Sequence, residues 1–382
     1  MFQRNITHNS YRRRKKKKNR AFEVFTLLVC ILLVCCAYAG KIDPADFFLA
    51  PFMTLAFMPV LLLTLALVVI ALVFRRWWSL PMVAVALIAS LPIIKLFSPM
   101  NTSENALPVP ADPRLVLKVM TYNVLAFNYN DPEFGNKPSQ TMSLILEADP
   151  DVVLMQEGSA NGVDWSQMPS LEPYQEQIQE RYPYRYYSIE GLNIMSKYPF
   201  TTQPLCDPQE TRSPLGHTRN QTSYLARAYD LQLPQGKQLR LVDFRFQSYH
   251  LHFGKSMNAR VSPDVKPAPL ERMRRSFALR TGDATAVRKA LDDSPANLIV
   301  CGDMNDVPSS HVYRVLRGQD LKDAWADSGR GYAYTYNRHS LRYRIDQVLY
   351  RGDVRALHAE RLVGGSSDHY PLVVSFDIDN TR

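Results

Sequence analysis

Carboxylates, carboxamides and one imidazole recur beside apolar runs between residues 120 and 371. In chain order the segments are MTYNV with Asn123, LMQEGS with Glu157, NIMSKYP at 193–199, VCGDMND with Asp303 and Asn305, YRIDQVLY with Asp346, and SSDHYP with Asp368 and His369. Most follow or precede a β-branched stretch, so a sheet would deliver their polar groups to one rim. A carboxylate ending a buried strand is costly unless a cation or a hydrogen-bond network holds it. A hard cation such as Mg²⁺ takes oxygen ligands and keeps several waters, so one or two carboxylates suffice. Glu157 is the first candidate ligand. Asn123 is placed to hold a phosphate oxygen or a metal-bound water. The chemistry that suits this set is hydrolysis of a phosphate ester.

The elements that must position these groups are legible in outline. LKVMTYNV alternates apolar and polar residues as a strand does, and DVVLMQE reads as the next strand after a short helix over 139–148. The runs 225–233 and 238–246 flank the turn PQGK and predict a hairpin. A helix over 270–291, the strands NLIVCGD and YRIDQVLYRG, and a final strand PLVVSFDI follow. Gly302 lets the backbone turn tightly before Asp303 and Asn305, and Asp306 is expected to be structural. Arg272, Arg274, Arg275 and Arg280 are expected on a solvated helix face, and Lys197 as an aid in attracting an anionic substrate. Hairpins mixed with helices argue for a sandwich of two sheets covered by helices rather than a doubly wound parallel sheet.

The chain is basic overall, with 45 Lys and Arg against 36 Asp and Glu in 382 residues and a formal charge of +9. Residues 1–20 hold nine basic side chains and no acid, so 9 − 9 leaves residues 21–382 with no net charge. The remainder lacks the basic footprint of a tight duplex binder. Three apolar stretches follow the tail, at 21–39, 47–74 and 77–97. Each is long enough to cross a hydrocarbon core of about 30 Å as a helix. A cleaved signal sequence fits the first stretch poorly, because it is long and two further spans follow. The predicted organisation is a basic cytoplasmic tail at 1–20, three transmembrane helices within 21–98, a linker over 99–114, and a soluble domain over 115–382. The positive-inside rule keeps the tail cytoplasmic, and three crossings place the domain outside. Of five cysteines, three lie in the first span, and Cys301 reads as a packed thiol.

Taken together and in this order, the six segments resemble the endonuclease/exonuclease/phosphatase family, which includes DNase I-like nucleases, neutral sphingomyelinases and inositol polyphosphate 5-phosphatases. The resemblance covers about residues 115–378, and the layout of spans plus domain is similar to bacterial membrane-anchored members. It implies a four-layer α/β sandwich, two mixed β-sheets flanked by helices, behind the three membrane helices. It implies Mg²⁺ or Mn²⁺ as cofactor, with Glu157, Asp368 and Asn123 as the metal set. Asp303 would deprotonate a water oriented with Asn305, and Asp346 would orient His369 and make it more basic. The substrate would be a phosphate ester: nucleic acid, a lipid headgroup or a small phosphate ester. The sequence gives no sign of an obligate protein partner, and it places the protein in a membrane bilayer.

One segment departs from the pattern. Many members carry an N-x-H-L motif after the second hairpin strand, whose histidine contacts phosphate or protonates the leaving group. VDFRFQS at 242–248 puts Asp243 on the asparagine and Arg245 on the histidine. An arginine stays charged and cannot donate a proton at neutral pH, yet its fork of donors neutralises phosphate well. Three readings are open: Arg245 clamps phosphate, His250 or His252 substitutes for the missing imidazole, or the domain binds phosphate or a lipid headgroup without cleaving efficiently.

Overall fold

A computed structural model describes residues 2–101, 112, 115–159, 163, 165–188, 191–206, 225–248, 269–338 and 342–378. The chain divides into two compact units, 1–95 and 96–382. In the first unit lie α1 (Phe2–Tyr38), α2 (Ala50–Val73) and most of α3 (Ser79–Phe97). Residues 2–38 contain neither proline nor glycine, so the basic tail and the first apolar stretch form one continuous helix. Three segments, Arg20–Lys41, Ala50–Val73 and Ser79–Phe97, are long and apolar enough to cross a membrane. Pro59 and Pro92 sit within α2 and α3. The Tyr38 hydroxyl donates to the Ala89 carbonyl at 2.6 Å and ties α1 to α3.

Among the described residues, the second unit holds twelve strands and five α-helices. Its first half runs β1 (Val116–Asn123), α4 (Gln140–Ala148), β2 (Val152–Gln156), α5 (Gln175–Arg181), β3 (Tyr184–Tyr186), β4 (Asn193–Ser196), β5 (Phe200–Cys206), β6 (Ala226–Gln232) and β7 (Gln238–Arg245). Its second half runs α6 (Pro269–Asp292), β8 (Leu298–Asp303), α7 (His311–Arg317), β9 (Lys322–Asp323), α8 (Ala324–Ser328), β10 (Asp346–Arg351), β11 (Arg355–Arg361) and β12 (Leu372–Asp377). Ser139, just before α4, caps it by accepting from the Met142 amide.

The strands form two six-stranded sheets, ordered β11-β12-β1-β2-β4-β3 and β5-β6-β7-β8-β10-β9. Each holds one parallel pair, β1 with β2 and β7 with β8, among antiparallel neighbours. One apolar cluster, with Val119, Leu154, Leu241, Ile299 and Val374, packs the sheets face to face. A second joins Val242, Phe244 and Val300 to Ala284 and Val287 of α6. A third joins Met120, Val153 and Met195 to Met142 and Ile145 of α4. The order is therefore helices, sheet, sheet, helices, as the sequence resemblance implies. Burial on both faces explains why the central strands read as near-continuous apolar runs.

Two sequence expectations fail for reasons of register. Lys197 does not reach the rim that carries Glu157. Antiparallel β4 pairs Ser196 with Val152, at the start of β2. Lys197 therefore lies at the far end and pairs with Asp149 at 3.1 Å and Asp151 at 3.3 Å. Arg280 is not on a solvated face either. Arg274 and Arg275 are exposed, but Arg280 falls on the inner side of α6 and is fully buried. Its Nε lies 3.4 Å from Asp306, and its Nη1 donates to the Gln247 carbonyl at 3.0 Å. Residues 249–268 and most of the predicted linker, including His250 and His252, lie outside the described residues.

Candidate active site

Strand direction explains why distant residues meet. Parallel strands present their C-terminal ends at one edge, and an antiparallel neighbour presents its N-terminal end there. Asn123 ends β1, Glu157 follows β2, Arg245 ends β7 and Asp303 ends β8. Asp346 opens β10 opposite Asp303 in register, and Asp368 and His369 precede β12. Asn123, Glu157, Arg245, Asp303, Asp346 and the Asp368–His369 pair thus belong to one rim, and Lys197 does not.

The hydrogen bonds show how closely the two sheets' contributions interlock. Asn123 Nδ2 donates to Glu157 Oε1 and to Asp303 Oδ2, each at 3.0 Å. Asn305 Nδ2 also donates to Asp303 Oδ2 at 3.0 Å, and the Asn305 amide donates to Asp303 Oδ1 at 2.9 Å. Asp346 Oδ2 lies 2.8 Å from His369 Nδ1, with both side chains buried. Ser367 Oγ donates to the Asn123 carbonyl at 2.7 Å and accepts from the His369 amide at 3.1 Å, locking the SSDH turn against β1. Arg245 Nη2 donates to Glu157 Oε1 at 2.5 Å. Asp368 lies at the margin, where its Oδ2 is 3.3 Å from Arg338 Nη1.

The backbone around the rim is held in sparsely populated conformations. Glu157 and Asn305 have φ of 52° and 54°, and Leu125, Ala126, Phe127 and Asn128 form a left-handed turn with φ of 48–57°. Non-glycine residues pay for such angles, and they persist where surrounding structure over-determines them. Here the Val124 amide donates to the Gln156 carbonyl at 3.0 Å, and the Ala126 amide to the Glu157 carbonyl at 2.7 Å. Gly302 has φ of 153°, and a Cβ there would lie 2.0 Å from the Phe244 carbonyl oxygen. Only glycine lets β8 lie this close to β7 and still aim Asp303 at the rim.

The electrostatics divide the acids by role. Burial pushes the Asp303 carboxyl up, to about 6, with His369 and Arg245 working against it. Burial opposes charge on His369, but Asp346 and Asp303 outweigh it and raise the imidazole to about 10. Burial also works against the Glu157 anion, yet Arg245 and Asn123 hold it below its usual range. Beneath the rim, burial pushes the Asp243 carboxyl well above its usual range, while Gln156 Nε2 donates to its Oδ1 at 2.5 Å.

The donor set suits a divalent cation. Asp303, Asp346 and His369 each place one ligand atom within 4.8 Å of the others. Asp346 Oδ1 is buried without a hydrogen-bond partner among the described residues, an acceptor that calls for a cation, proton or water. His369 spends Nδ1 on Asp346 and is charged near neutrality, so its three-residue group is better read as a base beside an ion pair than as a ligand trio. The Glu157 carboxylate, bonded to Asn123, is the harder oxygen donor for a cation.

Sequence reading passed over several contributors. Tyr336 packs edge-on against His369 with centroids 5.3 Å apart. Arg338 pairs with Asp368. Tyr336 and Arg338 lie in a loop with no strand periodicity to mark them. Ser367 lay in a quoted segment, and its serine type, common in turns, gave no cue to a partner on β1.

Residues 120–369 match the family described as "Endonuclease/Exonuclease/phosphatase family". The chain belongs to that family, whose members hydrolyse phosphate esters. Residues 19–96 match a second family, described as "Domain of unknown function (DUF8431)". A comparison with curated proteins finds no match. Among solved structures, the chain is similar to a D. rerio TDP2 humanized by 14 mutations, at 16% identity and a TM-score of 0.47, covering 69% of this chain and 99% of that one. It is also similar to the human Nocturnin catalytic domain, at 18% identity and 0.44, covering 70% and 96%. A third is sphingomyelinase C from Streptomyces griseocarneus, at 17% identity and 0.44, covering 68% and 99%.

Proposed function

We propose that this protein is a membrane-anchored, Mg²⁺- or Mn²⁺-dependent phosphoesterase with its hydrolase domain outside the cytoplasm. The single observation that carries the reading is the shared hydrogen-bond network Glu157–Asn123–Asp303–Asn305 lying against the Asp346–His369 pair. Buried acids and amides are costly to desolvate, so their assembly from two sheets at one rim favours a site that serves a ligand.

In this reading Glu157 and Asn123 would hold the cation, with Asp368 on its waters. The cation would supply Lewis-acid polarisation of a phosphate oxygen. Asp303, raised towards neutral pH, accepts a proton from the attacking water while Asn305 fixes its carboxylate. His369 stands as an imidazolium and stabilises charge on the phosphorus centre. Arg245 supplies a fixed positive charge to the phosphate. The domain boundaries that serve this layout are the tail at 1–20, spans within 21–98, a linker at 99–114 and the hydrolase at 115–382. Anchoring favours a phosphate ester at or near the membrane, whether nucleic acid, a lipid headgroup or a small ester.

The test is hydrolysis of bis-p-nitrophenyl phosphate by the full chain in detergent with Mg²⁺. Asp303→Asn and Glu157→Ala should each lower kcat/KM by about 10²–10⁴-fold. Variant rates equal to the wild type's would end the enzyme reading. The Arg245–Glu157 pair favours a second reading, a phosphate-binding module with weak turnover. Arg245→His discriminates: a large gain in rate shows that the natural site is impaired.

A further inference from the structure

Arg245 is bonded to the carboxylate that the proposed chemistry needs most. Its Nη2 donates to Glu157 Oε1 at 2.5 Å, and the two side chains keep 28% and 27% of their surface. Both are open enough to part without unfolding. The Arg245 backbone is fixed, because its amide donates to the Leu225 carbonyl at 3.1 Å and its residue pairs with Asp303 across β7 and β8. Displacement would therefore fall to the long side chain alone. Its Nε is buried without a hydrogen-bond partner among the described residues, so the donor fork is incompletely used on Glu157.

We propose that Arg245 is a displaceable guard on Glu157. The guanidinium neutralises this carboxylate in the resting site and leaves it when it takes a phosphate oxyanion, exposing Glu157 to the divalent cation. This rests on the phosphoesterase reading above. A guanidinium cannot be deprotonated out of the way, so it can only move. A phosphate offers it two oxygens in the geometry its fork prefers, a better partner than one carboxylate oxygen. Coupling between the two ligands is then reciprocal: phosphate tightens cation binding, and the cation tightens phosphate binding by the same factor.

The experiment is Mn²⁺ titration of the full chain in detergent, read by the paramagnetic signal of the free ion, with and without inorganic phosphate. Removing a partly exposed ion pair is worth a few-fold, so Arg245→Ala should bind Mn²⁺ about fivefold more tightly than wild type. The tightening by phosphate should be strong in the wild type and shrink in Arg245→Ala, with Arg245→Lys between them. Equal or weaker Mn²⁺ binding by Arg245→Ala, with the phosphate effect intact, overturns the guard. Glu157→Gln marks the site itself. If the wild type, Arg245→Ala and Glu157→Gln all fail to bind Mn²⁺ while melting normally, the metal-dependent reading falls and the guard with it. Circular dichroism melts of each variant separate a lost site from a lost fold.

Discussion

Asp346 sets the charge of His369, and that choice has a thermodynamic signature. The imidazole is raised from about 6.5 to about 10 in the folded protein by Asp346 and Asp303, against the cost of burial. A group that binds its proton more tightly when folded stabilises the fold below its unfolded pKa, and the contribution is lost as pH rises through the folded value. Asp303 acts with the same sign at lower pH, since burial raises it to about 6. The chelated protein should therefore lose stability steadily between pH 6.5 and 10, by roughly 2–4 kcal/mol. Tryptophan-fluorescence melts of the full chain in EDTA measure this. Asp346→Asn should flatten the slope, and the His369 resonance should titrate well below its wild-type midpoint. A melting temperature that rises across this window would show the pair to be wrongly assigned.

Strands and their order explain both what the sequence disclosed and what it concealed. The apolar runs of β1, β2, β8 and β12 were legible because burial on both faces demands them. Their ends were legible too, because polar groups there stand out against the run. The edge strands β5 and β11 were not, since edge strands carry mixed composition and gain their form from a neighbour. Register decided Lys197, and helix phase decided Arg280; neither is visible without knowing what packs where. Nor does composition betray the left-handed turn at 125–128, which lacks glycine altogether. Asp243 joins these scales. Read from sequence as a departure from an expected asparagine, it is pushed towards its protonated form by burial and accepts from Gln156 Nε2 as an amide oxygen would. Asp243→Asn should thus keep the geometry and remove the cost of a buried acid. That cost grows with pH, because the unfolded chain releases the proton that the folded one retains. The variant should be more stable by about 1–3 kcal/mol at pH 8, with a smaller gain at pH 5. Denaturant unfolding at the two pH values checks it, and a destabilised variant would mean the site needs the acid itself.

The whole chain separates its charge from its chemistry. All nine charges of the net +9 reside in residues 1–20, and the hydrolase domain is balanced. On the proposed topology the basic tail would stay on the cytoplasmic side, and the same rule would keep Arg75 and Arg76, between the second and third candidate spans, there too. Three crossings then put residue 98 onward outside, while two crossings and a re-entrant segment would leave it inside. The soluble cysteines Cys206 and Cys301 are buried, so a single exposed thiol reports the side cleanly. Val363 is 65% exposed on the loop after β11 and outside every hydrogen bond described for the site. Val363→Cys should react with a membrane-impermeant maleimide in intact cells, to the same extent as after lysis. Labelling that needs lysis would place the domain in the cytoplasm and confine its phosphate esters to that side. The balanced charge of the domain supports a partner that does not depend on dense phosphate neutralisation. Hydrolysis rates should accordingly fall less than tenfold between 50 and 200 mM salt, where a protein making 6–10 phosphate contacts loses about 10³–10⁵ in affinity.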